Sequence, residues 1–135
     1  MPEGGMDRAA PVGGRIEMRD LKRMRERYVR DKAPVRLGNL ASSLLRLSKW
    51  VRMKQRDESV IDLMHEIAWF MEWSGDLASV ELADMQREIC RWRRAWPIEP
   101  ARSILAFRAL QMSNRVLELS GLLEHGGHEK VSRQK

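Results

Sequence analysis

A chain of 135 residues has room for one domain with a single core of modest size, and no apolar run approaches the roughly 20 residues that span a bilayer. Its one cysteine, Cys90, excludes an internal disulfide framework, and with no secretory signal pattern the chain reads as cytoplasmic. The net charge of +6 is local rather than diffuse: residues 1–36 hold ten Lys or Arg against six Asp or Glu, and residues 37–123 twelve against eleven, so a basic arm is attached to a nearly neutral body.

Residues 1–14, with the strings PEGG and PVGG and few anchors for a core, read as a disordered N-terminus. Residues 15–36 read as a basic helical arm, in which Leu21, Met24 and Tyr28 form a narrow stripe among charged positions and Pro34 ends the helix. The first core helix is expected from Leu37 to about Met53, with Leu37, Leu40, Leu44, Leu47 and Val51 on one face and Ala41 and Ser48 filling it. Asp57 is the N-cap candidate for a second, from about Glu58 to Trp73, whose Val60, Leu63, Met64, Ile67, Phe70 and Met71 make a broad apolar face. The third starts near Leu77 and stops before Pro97, with Leu82, Met85, Ile89, Trp92 and Trp96 in one stripe. The fourth, about Ala101 to Leu119, carries Leu105, Ala109, Met112, Val116 and Leu119 on one seam. Ile104, Phe107, Leu110 and Leu117 widen that seam, so this helix too is expected to be largely buried. Gly121 sits where a left-handed cap would end it, and residues 124–135 read as a mobile tail.

Short connections make consecutive helices antiparallel, so the expected fold is all-α, an up-down-up-down four-helix bundle over residues 37–123 with an extra N-terminal basic helical arm. One pole would then gather Lys49, Arg52, Lys54, Arg56, Arg91, Arg93, Arg94 and Arg102 around Trp50, Trp92 and Trp96, and the other would gather Glu66, Glu72, Asp76, Glu81, Asp84 and Glu118. Guanidinium groups pair bidentately with phosphate or carboxylate and indole faces stack on bases. Trp50, Arg52, Arg91, Trp92, Arg93, Arg94 and Trp96 are therefore candidates for a nucleic-acid or polyanion site, together with the arm. The plainer account is that basic residues favour the negative end of a helix dipole and that tryptophans close a core there.

Chemistry has little foothold. Asp62 and His65 make half of a helical carboxylate–histidine metal pattern whose other half is missing, since His125 and His128 lie in the tail. Cys90 has no evident histidine partner, and no phosphate loop, dinucleotide fingerprint or zinc spacing occurs. No catalytic, cofactor-binding or metal-binding residue, no cofactor and no small-molecule substrate are expected. What remains is interaction: Trp69 and Trp73 lie off the main stripe of the second core helix, and tryptophan and arginine are enriched at binding hot spots.

The strings NLASSL at Asn39 to Leu44, FMEW at Phe70 to Trp73 and NRVLELSGLL at Asn114 to Leu123 resemble a set of short helical proteins of cyanobacteria that have no assigned activity. The resemblance covers roughly residues 37–123 and implies an all-helical fold, without implying any site. The function expected from the sequence is a non-enzymatic helical module that binds a protein partner or forms a homo-oligomer, with nucleic-acid binding as the alternative.

Overall fold

The computed structural model describes residues 18–77 and 79–132, with side chains described for 19–77 and 80–121. The disordered N-terminus expected over 1–14 lies outside the described residues. The fold is all-helical, with five α-helices and no strand among the described residues.

The basic arm forms α1, Met18–Arg30. Only Asp31 and Lys32 separate it from α2, Ala33–Trp50, which starts earlier than its leucine stripe suggests. Pro34 sits in the first turn of α2, where its missing N–H has no intrahelical partner to lose, so it opens this helix as well as excluding continuation of α1. Residues 33–36, expected to belong to the arm, are therefore the first turn of α2.

A single 3-10 turn, Lys54–Arg56, leads into α3, Asp57–Glu72. Asp57 is not the N-cap: it is the first helical residue, and no side chain caps this helix. Its carboxylate instead receives two guanidinium bonds from Arg102, a charge-assisted pair stronger than one bond to a backbone amide. Helix α4 spans Ser79–Ala95 and is followed by a second 3-10 turn, Glu99–Ala101.

Helix α5 runs Arg102–Ser132, well past Gly121. The expected stop at Gly121 gives way to continuous helical backbone to Ser132, because Gly121 keeps helical dihedrals and no proline follows to interrupt it; the last three residues of the expected tail, 133–135, lie outside the described residues. Once a helix is nucleated each added residue gains one hydrogen bond, so a glycine slows its propagation without ending it.

The four stripes read from the sequence meet in one core. Leu37, Leu40, Leu44, Leu47 and Val51 of α2 and its C-terminus join Val60, Leu63, Met64, Ile67 and Met71 of α3; Leu82, Met85, Ile89, Trp92 and Trp96 come from α4 and its C-terminus, and Leu105, Ala109, Met112 and Val116 from α5. Each fully buried leucine contributes about 1.5–3 kcal/mol relative to exposure.

The most extensive pairing is α2 on α5. Small residues recur every seven positions on both, Pro34, Ala41 and Ser48 on α2 and Ala106, Ser113 and Ser120 on α5, so the backbones can approach closely. The Ser113 hydroxyl donates to the Ala41 carbonyl at 2.8 Å and Ser120 to that of Pro34 at 2.9 Å. These bonds fix an antiparallel register and satisfy hydroxyls that burial would otherwise leave unpaired. On its other flank α5 is joined to α4 by two bridges, also antiparallel: Arg108 to Glu88 and Arg115 to Glu81, each through paired guanidinium bonds.

Candidate interaction surfaces

Helix α1 is held by one aromatic side chain. Tyr28 is 4% exposed and stacks on Phe70 of α3 with ring centroids 4.4 Å apart and planes within 9°. Its hydroxyl donates to the Arg36 carbonyl at 3.1 Å and shares a 2.6 Å hydrogen bond with Ser74. Burial is the main reason its phenol is harder to ionise than usual. The sequence singled out Tyr28 only as part of a narrow stripe; its hydroxyl, alone among the stripe residues, signals a docked position rather than a free helix.

Two clefts flank α1. One, of about 640 Å³, is lined by Leu21, the basic side chains Arg19, Lys22 and Arg25, and the stacked pair Trp69 and Trp73, whose centroids are 5.6 Å apart. The two tryptophans, off the main stripe of α3, are thus half-buried beside α1. The other, of about 370 Å³, is polar and runs between α1, α2 and α3, with Glu66 and Arg46 in its wall. Burial raises the Glu66 carboxyl above the usual carboxylate range, opposed by Arg46 and by a 3.5 Å contact from the Ser43 hydroxyl.

The candidate anion-binding residues divide. Trp92 and Trp96 are buried in the core, so their faces are closed to a stacking base. Trp50 is half-buried, with the guanidinium of Arg56 over its ring at 4.7 Å and that of Arg46 at 5.9 Å. Arg102, also expected at this pole, is buried and fully engaged. It bonds Asp57 at 2.9 and 3.0 Å, Glu99 at 2.7 and 3.1 Å and the Val51 carbonyl at 3.0 Å, and its guanidinium lies 4.9 Å from the centre of the Trp96 ring. One side chain thereby ties the end of α2, the start of α3, the connection after α4 and the start of α5. The same bonds hold the Asp57 and Glu99 carboxyls below their ordinary range and raise the Arg102 guanidinium.

Neutralisation is uneven. Lys54 pairs with Glu99, and Arg108 and Arg115 pair with carboxylates of α4 and α5. Arg52, Arg91, Arg93 and Arg94 make no ion pair among the described residues, and all but the half-buried Arg93 are exposed. At the opposite pole the expected acidic cluster is likewise offset, because Arg115 holds both Glu81 and Glu118. The axial charge polarity expected from helix order is therefore weakened at each end by a charge of the other sign.

The largest departure from the sequence expectation lies on α5. Its seam of Leu105, Ala109, Met112 and Val116 is buried, but the residues expected to widen it face solvent: Ile104 is 68% exposed, Phe107 58%, Leu110 37% and Leu117 52%. Helices α2 and α4 occupy only two flanks of α5, which leaves its outer side uncovered. Val35 and Leu45 of α2 are exposed too, so most of the exposed large apolar side chains belong to the α2/α5 pair. The signal was present in the sequence: Ser103, Asn114 and Gly121 alternate with the apolar residues of this second stripe, whereas the seam Leu105, Ala109, Met112, Val116 is apolar at every position.

Among the described residues no three His, Cys, Asp or Glu side chains are grouped so as to hold a metal ion, and no helix is long and apolar enough to cross a membrane. Cys90 is a half-buried free thiol, and His65 lies against Trp69 at 6.4 Å. No family model, no curated protein and no solved structure matches this chain.

Proposed function

We propose that this chain is a non-enzymatic interaction module: an up-down-up-down four-helix bundle, carrying the basic helix α1 docked through Tyr28, that binds a protein partner or a second copy of itself. The observation that supports this most is the outer face of α5. Contiguous apolar surface of this kind marks protein contact sites, because leaving it in water forgoes about 25 cal/mol for every Å² that a partner would cover. Phe107 is the natural anchor, being an aromatic side chain more than half exposed. In extract of the cells that make it, the native protein should migrate above its 15.8 kDa monomer mass. The double variant Phe107→Glu, Leu117→Glu should migrate at that mass. Monomer migration of both forms would refute the reading.

A second reading rests on the unpaired arginines. Arg52, Arg91 and Arg94 stand exposed with no carboxylate partner among the described residues while Arg102, Arg108 and Arg115 are neutralised, a contrast that favours binding of a polyanion along this end of α4. With Trp92 and Trp96 buried, such binding would be to charge and not to bases. It should weaken steeply with salt, and replacing Arg91, Arg93 and Arg94 with Gln should reduce the slope of log K against log salt by about 2–3. An unchanged slope for a mixed-sequence oligonucleotide would exclude this end of α4 as the contact.

A further inference from the structure

Helix α5 has an outer stripe at Ser103, Phe107, Leu110, Asn114, Leu117 and Gly121, spaced four, three, four, three and four apart. That is the spacing of a two-helix seam, and α5 uses it on the side away from its own core. The stripe carries no charge in a chain of which 33% of residues are charged. Of the charges that flank it, Arg108 is bound by Glu88 of α4, and Arg115 is bound by Glu81 of α4 and by the exposed Glu118 of α5. On α2, the helix packed against α5, Val35 and Leu45 are exposed as well, and a side chain built at Gly38 or Gly121 would meet open space.

We propose that this face is covered by the same face of a second copy of this chain, with the two α5 helices antiparallel and their two-fold axis beside Met112. Three observations select this occupant. The stripe itself is neutral, so two copies can close on it without burying an unpaired charge, whereas a nucleic acid or a strongly charged protein would find no complementary charge along it. The order of residues is complementary on reversal. Phe107 meets Leu117 of the other copy, Leu110 meets Asn114, and Ser103 meets Gly121, so that in the first two layers a large side chain faces a smaller one. A parallel pair would instead stack Phe107 on Phe107 and leave Gly121 opposite Gly121, with both helix dipoles aligned unfavourably. Finally, the area fits. Nineteen residues rise about 27 Å, and two adjacent helices are about 20 Å wide, which presents roughly 550 Å² per copy. That is at the small end of specific interfaces, appropriate to a reversible dimer of micromolar affinity.

The inference rests on the reading of this face as an interface, and sedimentation equilibrium of the purified full chain tests it separately. From about 2 to 200 µM the protein should pass reversibly from monomer to dimer. The equilibrium should change little between low and high salt, and Phe107→Glu should weaken it about 30-fold or more. The register is tested in a Cys90→Ser background by Ser103→Cys and Gly121→Cys, both outside the apolar anchors. Oxidation should link the two variants only when they are mixed. Links within either variant alone, or none in the mixture, overturn the antiparallel arrangement. A purified protein that stays monomeric throughout overturns the second copy as occupant. If the extract mass still exceeds the monomer, the interface reading stands with another partner; if it does not, both fail.

Discussion

Arg102 shows how much one side chain can decide. Four helix ends converge on it, and its two carboxylate partners sit at the start of α3 and in the connection after α4, so the closing of the core at this pole depends on an ion cluster rather than on capping. A pH dependence follows from Asp57. Its folded pKa is depressed, chiefly by the Arg102 hydrogen bonds, below the ordinary value of 3.8. The stability this gives is fully present above that ordinary value and is lost as pH falls through the folded one. Asp57→Asn should therefore lower the melting temperature by several degrees at pH 7. In melting curves taken between pH 7 and pH 2, the gap to the native protein should narrow below about pH 3.8. A gap independent of pH would mean that the carboxylate charge is not what Arg102 recognises.

At the scale of whole helices, the pairing of α2 with α5 depends on what is small. Ala41→Leu would force the two backbones apart at the point where Ser113 bonds the Ala41 carbonyl, and should cost about 1–3 kcal/mol by overpacking. Ser113→Ala, which removes the bond without adding volume, should cost only about 0.5–1.5 kcal/mol. Urea unfolding distinguishes the two; equal losses would indicate that close approach is not the determinant. The core stripes of α2 to α5 were legible in the sequence because burial follows the 3.6-residue period and each stripe is long. Three features were not. The helix ends depend on competition for single side chains, as when Arg102 takes Asp57 from the capping position. The seven-residue recurrence of Pro34, Ala41 and Ser48 against Ala106, Ser113 and Ser120 carries no hydrophobic signal. The docking of α1 depends on one phenol finding Ser74 and Phe70, a contact across 46 residues of chain that no local pattern specifies.

For the molecule as a whole, the candidate surfaces were only partly legible for a related reason. Periodicity says which residues share a side of a helix, but the number of neighbours decides which sides are covered. The sequence marked both stripes of α5 as apolar, yet α2 and α4 cover only one of them, and the tryptophans marked at the basic pole, Trp92 and Trp96, are core residues, the latter with the Arg102 guanidinium over its ring. If the outer stripe belongs to an interface and not to the fold, the two sides of α5 must answer differently to substitution. Met112→Ala, on the buried side, should cost about 2–5 kcal/mol through the lost methylenes and the cavity left behind. Leu117→Glu, little more than one turn further along the same helix on the exposed side, should change the stability of the monomer by no more than about 0.5 kcal/mol. Measured by urea unfolding at micromolar or lower concentration, where a weak dimer is dissociated, this contrast separates a core that is complete without the outer stripe from one that needs it. A large loss at Leu117 under those conditions would place the stripe inside the fold and remove the physical basis for a docking face on α5.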